Sequence, residues 1–259
     1  MKRFFCILAA ASCLFASPNF AQVKDIDDGV YKAAKLGMLS QRVGKAYLAI
    51  ALKGDEAQAR KVLNDSVSQF DRLLVELKVF APTPEIKTLY DQLEARWRPI
   101  KDIVVGKTPD PTTAAQFMAG EIALLDLAAR GSRAIQARGT KANLKLIEIA
   151  ENDAMLSQRV AMYYYASLLS INTAAARREI ERASKEFLTN LQFLKTAATT
   201  PAAVQPKLTI ATSQWAFLEN ALKNTGDVRN RSILAANMFR SSERLLEVLD
   251  DIALTYEKL

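Results

Sequence analysis

The chain has 259 residues, a net charge of +7, two cysteines and no histidine. Without histidine it has no imidazole base, imidazole metal ligand or switch near neutral pH, which argues against most enzyme classes. The modest positive balance suits small anions, anionic lipid surfaces or acidic partners, and equally plain solubility; no dense basic run points to nucleic acid.

In chain order, Lys2 and Arg3 precede an apolar run from Phe4 to Ala16 that only Ser12 interrupts. Ser17-Pro18-Asn19-Phe20-Ala21 then leads to a cut after Ala21. This reads as a secretory signal peptide over 1–21, too short and wrongly flanked for a membrane span. A lipidated Cys13 is disfavoured, because Leu14-Phe15-Ala16 follows where a polar tether is expected. Cys6 and Cys13 both lie in the leader, so the mature chain of 238 residues is expected to lack thiols and disulfides. No later stretch is apolar enough to cross a bilayer. The expected product is soluble and periplasmic.

Alanine and leucine dominate the rest, and apolar residues recur at three and four, the helical period. Helices are predicted over about 24–53, 55–80, 84–105, 111–138, 140–171, 173–199, 205–224 and 227–258. Asp25 or Asp27 favours the first helix start and Asp55 the second. Pro82 and Pro84 separate the second from the third, which is expected to kink at Pro99. Asp110-Pro111 is a capped start with proline in the first turn. Gly139-Thr140 marks the middle of the chain. Four long helices joined by short loops form an antiparallel four-helix bundle. The predicted fold is therefore all-α, two tandem bundles over 22–138 and 139–259.

The division rests on a repeat. Met38-Leu39-Ser40-Gln41-Arg42-Val43 returns unchanged as Met155-Leu156-Ser157-Gln158-Arg159-Val160, 117 residues later. Ala33/Ala150, Tyr47/Tyr164, Ala49/Ala166, Leu52/Leu169, Phe70/Phe187, Leu74/Leu191 and Leu77/Leu194 match at the same offset, and Trp97/Trp215 at 118. So long a fixed offset means that a whole unit was duplicated. Leu36, Leu39, Val43, Tyr47 and Ile50 form a core stripe that Arg42 flanks, as Arg159 flanks Leu156 and Val160. Polar groups kept in both copies beside such a stripe either hydrogen-bond between helices or line a cleft where arginine's planar fork binds an anion. Residue physics alone favours the first. The candidate ligand residues are Arg42, Arg159, Ser40, Ser157, Gln41, Gln158, Lys35, Tyr47 and Tyr164. Trp97 and Trp215 read as core anchors. The run Tyr163-Tyr164-Tyr165 covers more than half the helix circumference, so one ring must meet solvent, the other bundle or a ligand.

The stretch Ala33-Ala34-Lys35-Leu36-Gly37-Met38-Leu39-Ser40-Gln41-Arg42-Val43-Gly44-Lys45-Ala46-Tyr47-Leu48 resembles the start of the PilJ-type domain. That is the N-terminal, periplasmic domain of type IV pili methyl-accepting chemotaxis transducers, related to nitrate/nitrite sensor kinase sensor domains. The resemblance implies a ligand-binding four-helix bundle that signals through a membrane-spanning helix. It also implies an anion held where two first helices meet, by a glycine and an arginine. Those positions fall on Ala34 and Gly37 in the first copy and on Glu151 and Ala154 in the second, so both arginines are absent. With no spanning helix or output domain in the chain, a separate membrane sensor or transducer is the expected partner.

No glycine-rich phosphate loop, zinc spacing or catalytic constellation occurs, and Glu121, Asp126, Glu247, Asp250 and Asp251 are given no catalytic role. The expectation is a non-enzymatic sensor-type protein with no cofactor or metal, binding a small molecule, an anion among the candidates. The alternative is a helical scaffold or interaction module of the cell envelope. Two geometries compete. Either the two motif helices pack about a local two-fold axis, with Arg42 and Arg159 converging, or the fourth helix runs on into the fifth and the bundles stack end to end.

Overall fold

A computed structural model describes residues 22–52, 56–223 and 231–259. The expected leader over 1–21, with both cysteines, and the expected breaks at Gly54-Asp55 and Gly226-Asp227 lie outside the described residues. Those residues form eight α-helices and a 3-10 turn over Ala202–Val204, with no strand. The helices are α1 (Ile26–Ala51), α2 (Glu56–Phe80), α3 (Pro84–Gly106), α4 (Pro111–Gln136), α5 (Asn143–Leu168), α6 (Thr173–Thr196), α7 (Gln205–Lys223) and α8 (Arg231–Glu257).

Local chemistry starts the helices where expected. The Asp25 side chain accepts from the Asp28 amide, and Asp110 forms a reciprocal capping box with Thr113 ahead of Pro111. Thr83, which the sequence reading passed over, caps α3 in front of Pro84. Pro99 sits inside α3, which continues to Gly106.

Within each copy the helices pack in sequence as an up-and-down bundle: α1 on α2 and α4, α3 on α4, α5 on α6 and α8, α7 on α8. Phe70 lies 4.3 Å from Trp97, and Phe187 stacks on Trp215 at 3.9 Å, so the aromatic pairs matched by the repeat anchor equivalent cores. Only Trp97 has a polar partner, donating to Asp71 at 2.8 Å; Leu188 stands at the position 117 residues on, and the Trp215 indole N–H has none.

The two copies meet through α1 and α5, which pack closely along each other. Asn143 reaches Asp27, Arg159 reaches Gln41, and Met162 lies against Gly44. These cross-contacts join residues 116 to 118 apart, so α1 and α5 run parallel in the register of the repeat itself. Its symmetry is an approximate two-fold axis along the α1–α5 seam. The end-to-end geometry is overturned. After Gln136 the chain turns, and α5 doubles back along α4, with Gln136 donating to Glu148 and Tyr163 to Glu121. Gly139 permits the turn, since a Cβ there would lie 2.2 Å from Leu144 Cδ1.

Candidate functional site

Because α1 and α5 are central, neither has a solvent face along the motif. Ser40, Gln41, Ser157 and Gln158 are completely buried. The short bonds are identical in the two copies. Ser40 Oγ donates to Gly37 O and Ser157 Oγ to Ala154 O, both at 2.7 Å. Gln41 Nε2 and Gln158 Nε2 each donate to the preceding serine at 3.1 Å.

The copies diverge one step further out. Gln41 Nε2 also donates to Glu121 Oε2 on α4, whereas Gln158 Nε2 donates to the Ser242 carbonyl on α8. The buried positions of α4 recur in α8 at an offset of 121, as Ala114/Ala235, Leu124/Leu245 and Ile135/Tyr256. Glu121 therefore corresponds to Ser242, and the carboxylate of the second copy stands one residue along, at Glu243.

Each motif arginine pairs with a carboxylate on the opposite copy. Arg42 donates to Glu243 through Nε at 3.1 Å and Nη2 at 2.5 Å. Lys45, fully buried, donates to the same carboxylate at 2.5 Å and to Ser242 Oγ at 3.0 Å, over the Phe239 ring. Arg159 donates to Gln41 Oε1 at 2.7 Å, Glu121 Oε2 at 2.9 Å and Glu179 Oε1 at 2.5 Å. Tyr163 completes this network, its hydroxyl 2.6 Å from Glu121 Oε1. The tyrosine run is wholly buried, and Tyr163 is the ring that meets the other copy. The two guanidinium groups share no partner, Arg42 facing α8 and Arg159 facing α4 and α6.

Electrostatics follow from burial and pairing. Burial would raise the Glu243 carboxyl, but Lys45 and Arg42 overcome it and hold it at about 2. Burial pushes Lys45 down to about 8 in spite of Glu243. Lys35 donates to Asp250 and to the Tyr31 hydroxyl, both at 2.5 Å, and that hydroxyl donates to Asp250. Asn152 stands in the place of Lys35 in the second copy and donates to Glu186. Tyr47 and Tyr164 are both completely buried. The Tyr47 hydroxyl donates to the Lys107 carbonyl at 3.4 Å, and the Tyr164 hydroxyl has no partner.

A cleft of about 460 Å³ opens beside the motif between α4 and α6, floored by α1 and α5. Ala34 and Gly37 border it on α1, Glu151 and Met155 on α5, and Ser132 on α4. The Ser132 hydroxyl has no hydrogen-bond partner, and the Glu151 carboxyl pairs with that of Asp250. Burial, reinforced by the charge of Asp250, holds the Glu151 carboxyl well above its ordinary range. None of the nine candidate ligand residues lines this cleft. Sequence reasoning missed Lys45, Glu121, Glu179 and Glu243 as partners of the motif, because carboxylates on distant helices carry no local signature. A doubled motif containing an arginine was the only available hint that acids must lie opposite it.

No group of acidic, cysteine or histidine side chains suited to a metal occurs among the described residues, and none of their helices is long and apolar enough to cross a membrane. No curated protein and no solved structure matches the chain. A family model does match, over residues 30–118, from α1 into the start of α4: the type IV pili methyl-accepting chemotaxis transducer N-terminal domain, PilJ. Residues 30–118, within the first copy of the repeat, therefore match a PilJ-type domain.

Proposed function

We infer that the protein is an exported, non-enzymatic ligand-binding protein of sensor type, acting in the periplasm with a separate membrane sensor or transducer. Its domains would be 22–138 and 139–259, after removal of a leader over 1–21. The observation that carries this reading is the cleft on the α1–α5 seam. Its volume suits a small molecule, and its floor is the pair of helices that bears the duplicated motif. Duplication supplies within one chain the seam between first helices that the resembled sensors build from two chains.

A second reading, a helical scaffold, draws support from Ser40, Gln41, Arg42, Ser157 and Arg159, each of which has a partner inside the molecule. An anion bound by Arg42 and Arg159 would have to displace Glu243 from one and Glu121 with Glu179 from the other. A thermal-shift screen of small anions, organic acids and amines separates the readings, since a ligand that binds only the folded state raises Tm by mass action. Binding of an anion that Arg159→Ala abolishes, with helicity intact, would support the arginine site. If no compound of any charge shifts Tm, the scaffold reading holds.

A further inference from the structure

The two copies differ in their fourth helices where the cleft opens. At the offset of 121, Ala128 of α4 stands where α8 has Leu249, and Ala129 where it has Asp250. Ser132 and Arg133 stand where α8 has the apolar pair Ala253 and Leu254. Across the pseudo-two-fold axis the matching space is occupied: Asp250 accepts from Lys35 and Tyr31, and Lys32 pairs with Glu76 at 2.9 Å. On the α4–α6 side the α5 equivalents of Tyr31, Lys32 and Lys35 are Glu148, Ile149 and Asn152, and Phe193 takes the place of Glu76. The α4 wall has therefore lost bulk and gained two polar groups.

Both of those groups lack partners. Ser132 is only 3% exposed, yet its hydroxyl has no hydrogen-bond partner, although buried polar groups are normally paired. Arg133 lines the cleft from an exposed position and has no carboxylate partner among the described residues. The cleft's other charges are matched: Glu148 accepts from Gln136 and Lys145, and Glu186 from Asn152 and Arg182. Glu151 adds none, because burial keeps its carboxyl protonated and paired with Asp250 on the far side of the seam. Arg133 thus leaves the lining with one unmatched positive charge. Leu125 and Met155 give apolar wall next to the two alanines.

We propose that this cleft binds a small organic carboxylate, its headgroup accepting from the Ser132 hydroxyl and the Arg133 guanidinium. Its hydrocarbon body lies in the space that Ala128 and Ala129 leave, against Leu125 and Met155. The proposal rests on the ligand-binding reading above and adds the charge and class of the ligand. It needs no motif arginine to give up its partner, since the planar fork that takes the carboxylate is the unpaired one.

The test uses the full mature chain with matched probes: butyrate and benzoate, butylamine and benzylamine, and benzyl alcohol as the neutral control. Nitrate serves as an anion without a hydrocarbon body. At about 100 times Kd a carboxylate should raise Tm by about 5–10 °C, and isothermal titration should show one site per chain. Arg133→Gln should weaken carboxylate binding about tenfold, the loss of a charge-assisted hydrogen bond, with its ligand-free Tm unchanged. Ser132→Ala should weaken it less, and its own Tm should be unchanged or higher, because an unpaired buried hydroxyl is removed. Ala129→Leu, which fills the cleft, should block the carboxylates with helicity intact. Three results would overturn the proposal: stabilisation by the amines and not the carboxylates, nitrate binding as tightly as benzoate, or a carboxylate shift that survives both Arg133→Gln and Ala129→Leu. If only the amines or the alcohol bind, or if Arg159→Ala alone abolishes carboxylate binding, the ligand-binding reading stands and this site is refuted. If no probe binds, both fail.

Discussion

Glu243 serves two cations at once, and its neighbours decide its titration. The Arg42 fork takes both of its oxygens and Lys45 shares one of them. A carboxyl held at about 2 in the folded chain titrates near 4.5 when unfolded. Its stabilisation is therefore fully present above pH 4.5 and is lost as the pH falls toward 2. A shift of that size is worth about 3 kcal/mol. Urea denaturation of the native chain and of Glu243→Gln should show a stability gap that narrows steadily as the pH falls below 4.5. A gap independent of pH would mean that the charge of Glu243 contributes nothing. Glu151 has the opposite sign: its raised carboxyl favours the protonated form in the folded state, so its contribution improves as the pH falls. Comparing variants, not wild-type curves alone, keeps the two acids apart.

On the scale of the element, the closeness of α1 to its neighbours depends on one residue without a side chain. A Cβ at Gly44 would lie 2.4 Å from Met162 Sδ on α5 and 2.4 Å from Phe117 Cε1 on α4. Alanine in a helix interior is worth about 1 kcal/mol over glycine, while overpacking a filled core costs about 1–3 kcal/mol. Three helices meet at this point and the Phe117 ring is completely buried, so the steric term should win. Gly44→Ala is expected to lower stability by about 1 kcal/mol in chemical denaturation, and to cost less when it is added to a Met162→Ala chain than when it is added to the native one. A more stable Gly44→Ala chain would show that α1 and α5 can move apart at no cost. The second copy has Ala161 at the matching position, so the seam is not symmetric in packing even where it is symmetric in register.

For the whole molecule, the duplication joins two bundles through their most buried helices. A single copy would expose the face of α1 that meets α5 and would leave Glu121, completely buried here, without Arg159. An isolated first copy, residues 22–138, should therefore not persist as a helical monomer. It should pair with itself, α1 against α1, or lose structure, and light scattering with circular dichroism distinguishes these from a stable monomer, which would contradict the arrangement.

The eight helices, the caps at Asp25 and Asp110, the anchors Trp97 and Trp215, and the repeat were legible in the sequence, because these depend on period, local hydrogen bonding and identity at a fixed offset. The sequence also carried the resemblance that the PilJ match over 30–118 bears out. Only the tertiary structure decided that α5 doubles back and runs parallel to α1, and that the motif arginines face different helices. It alone also showed the open cleft on the seam. The physical reason lies in range. A helix start is decided within four residues, whereas Arg42–Glu243 and Glu121–Arg159 join residues 201 and 38 apart, and a shift of one position in α8 moved the carboxylate from the place of Ser242 to Glu243. No local pattern registers such a shift, because burying a charge against its partner is settled only when both helices are in place.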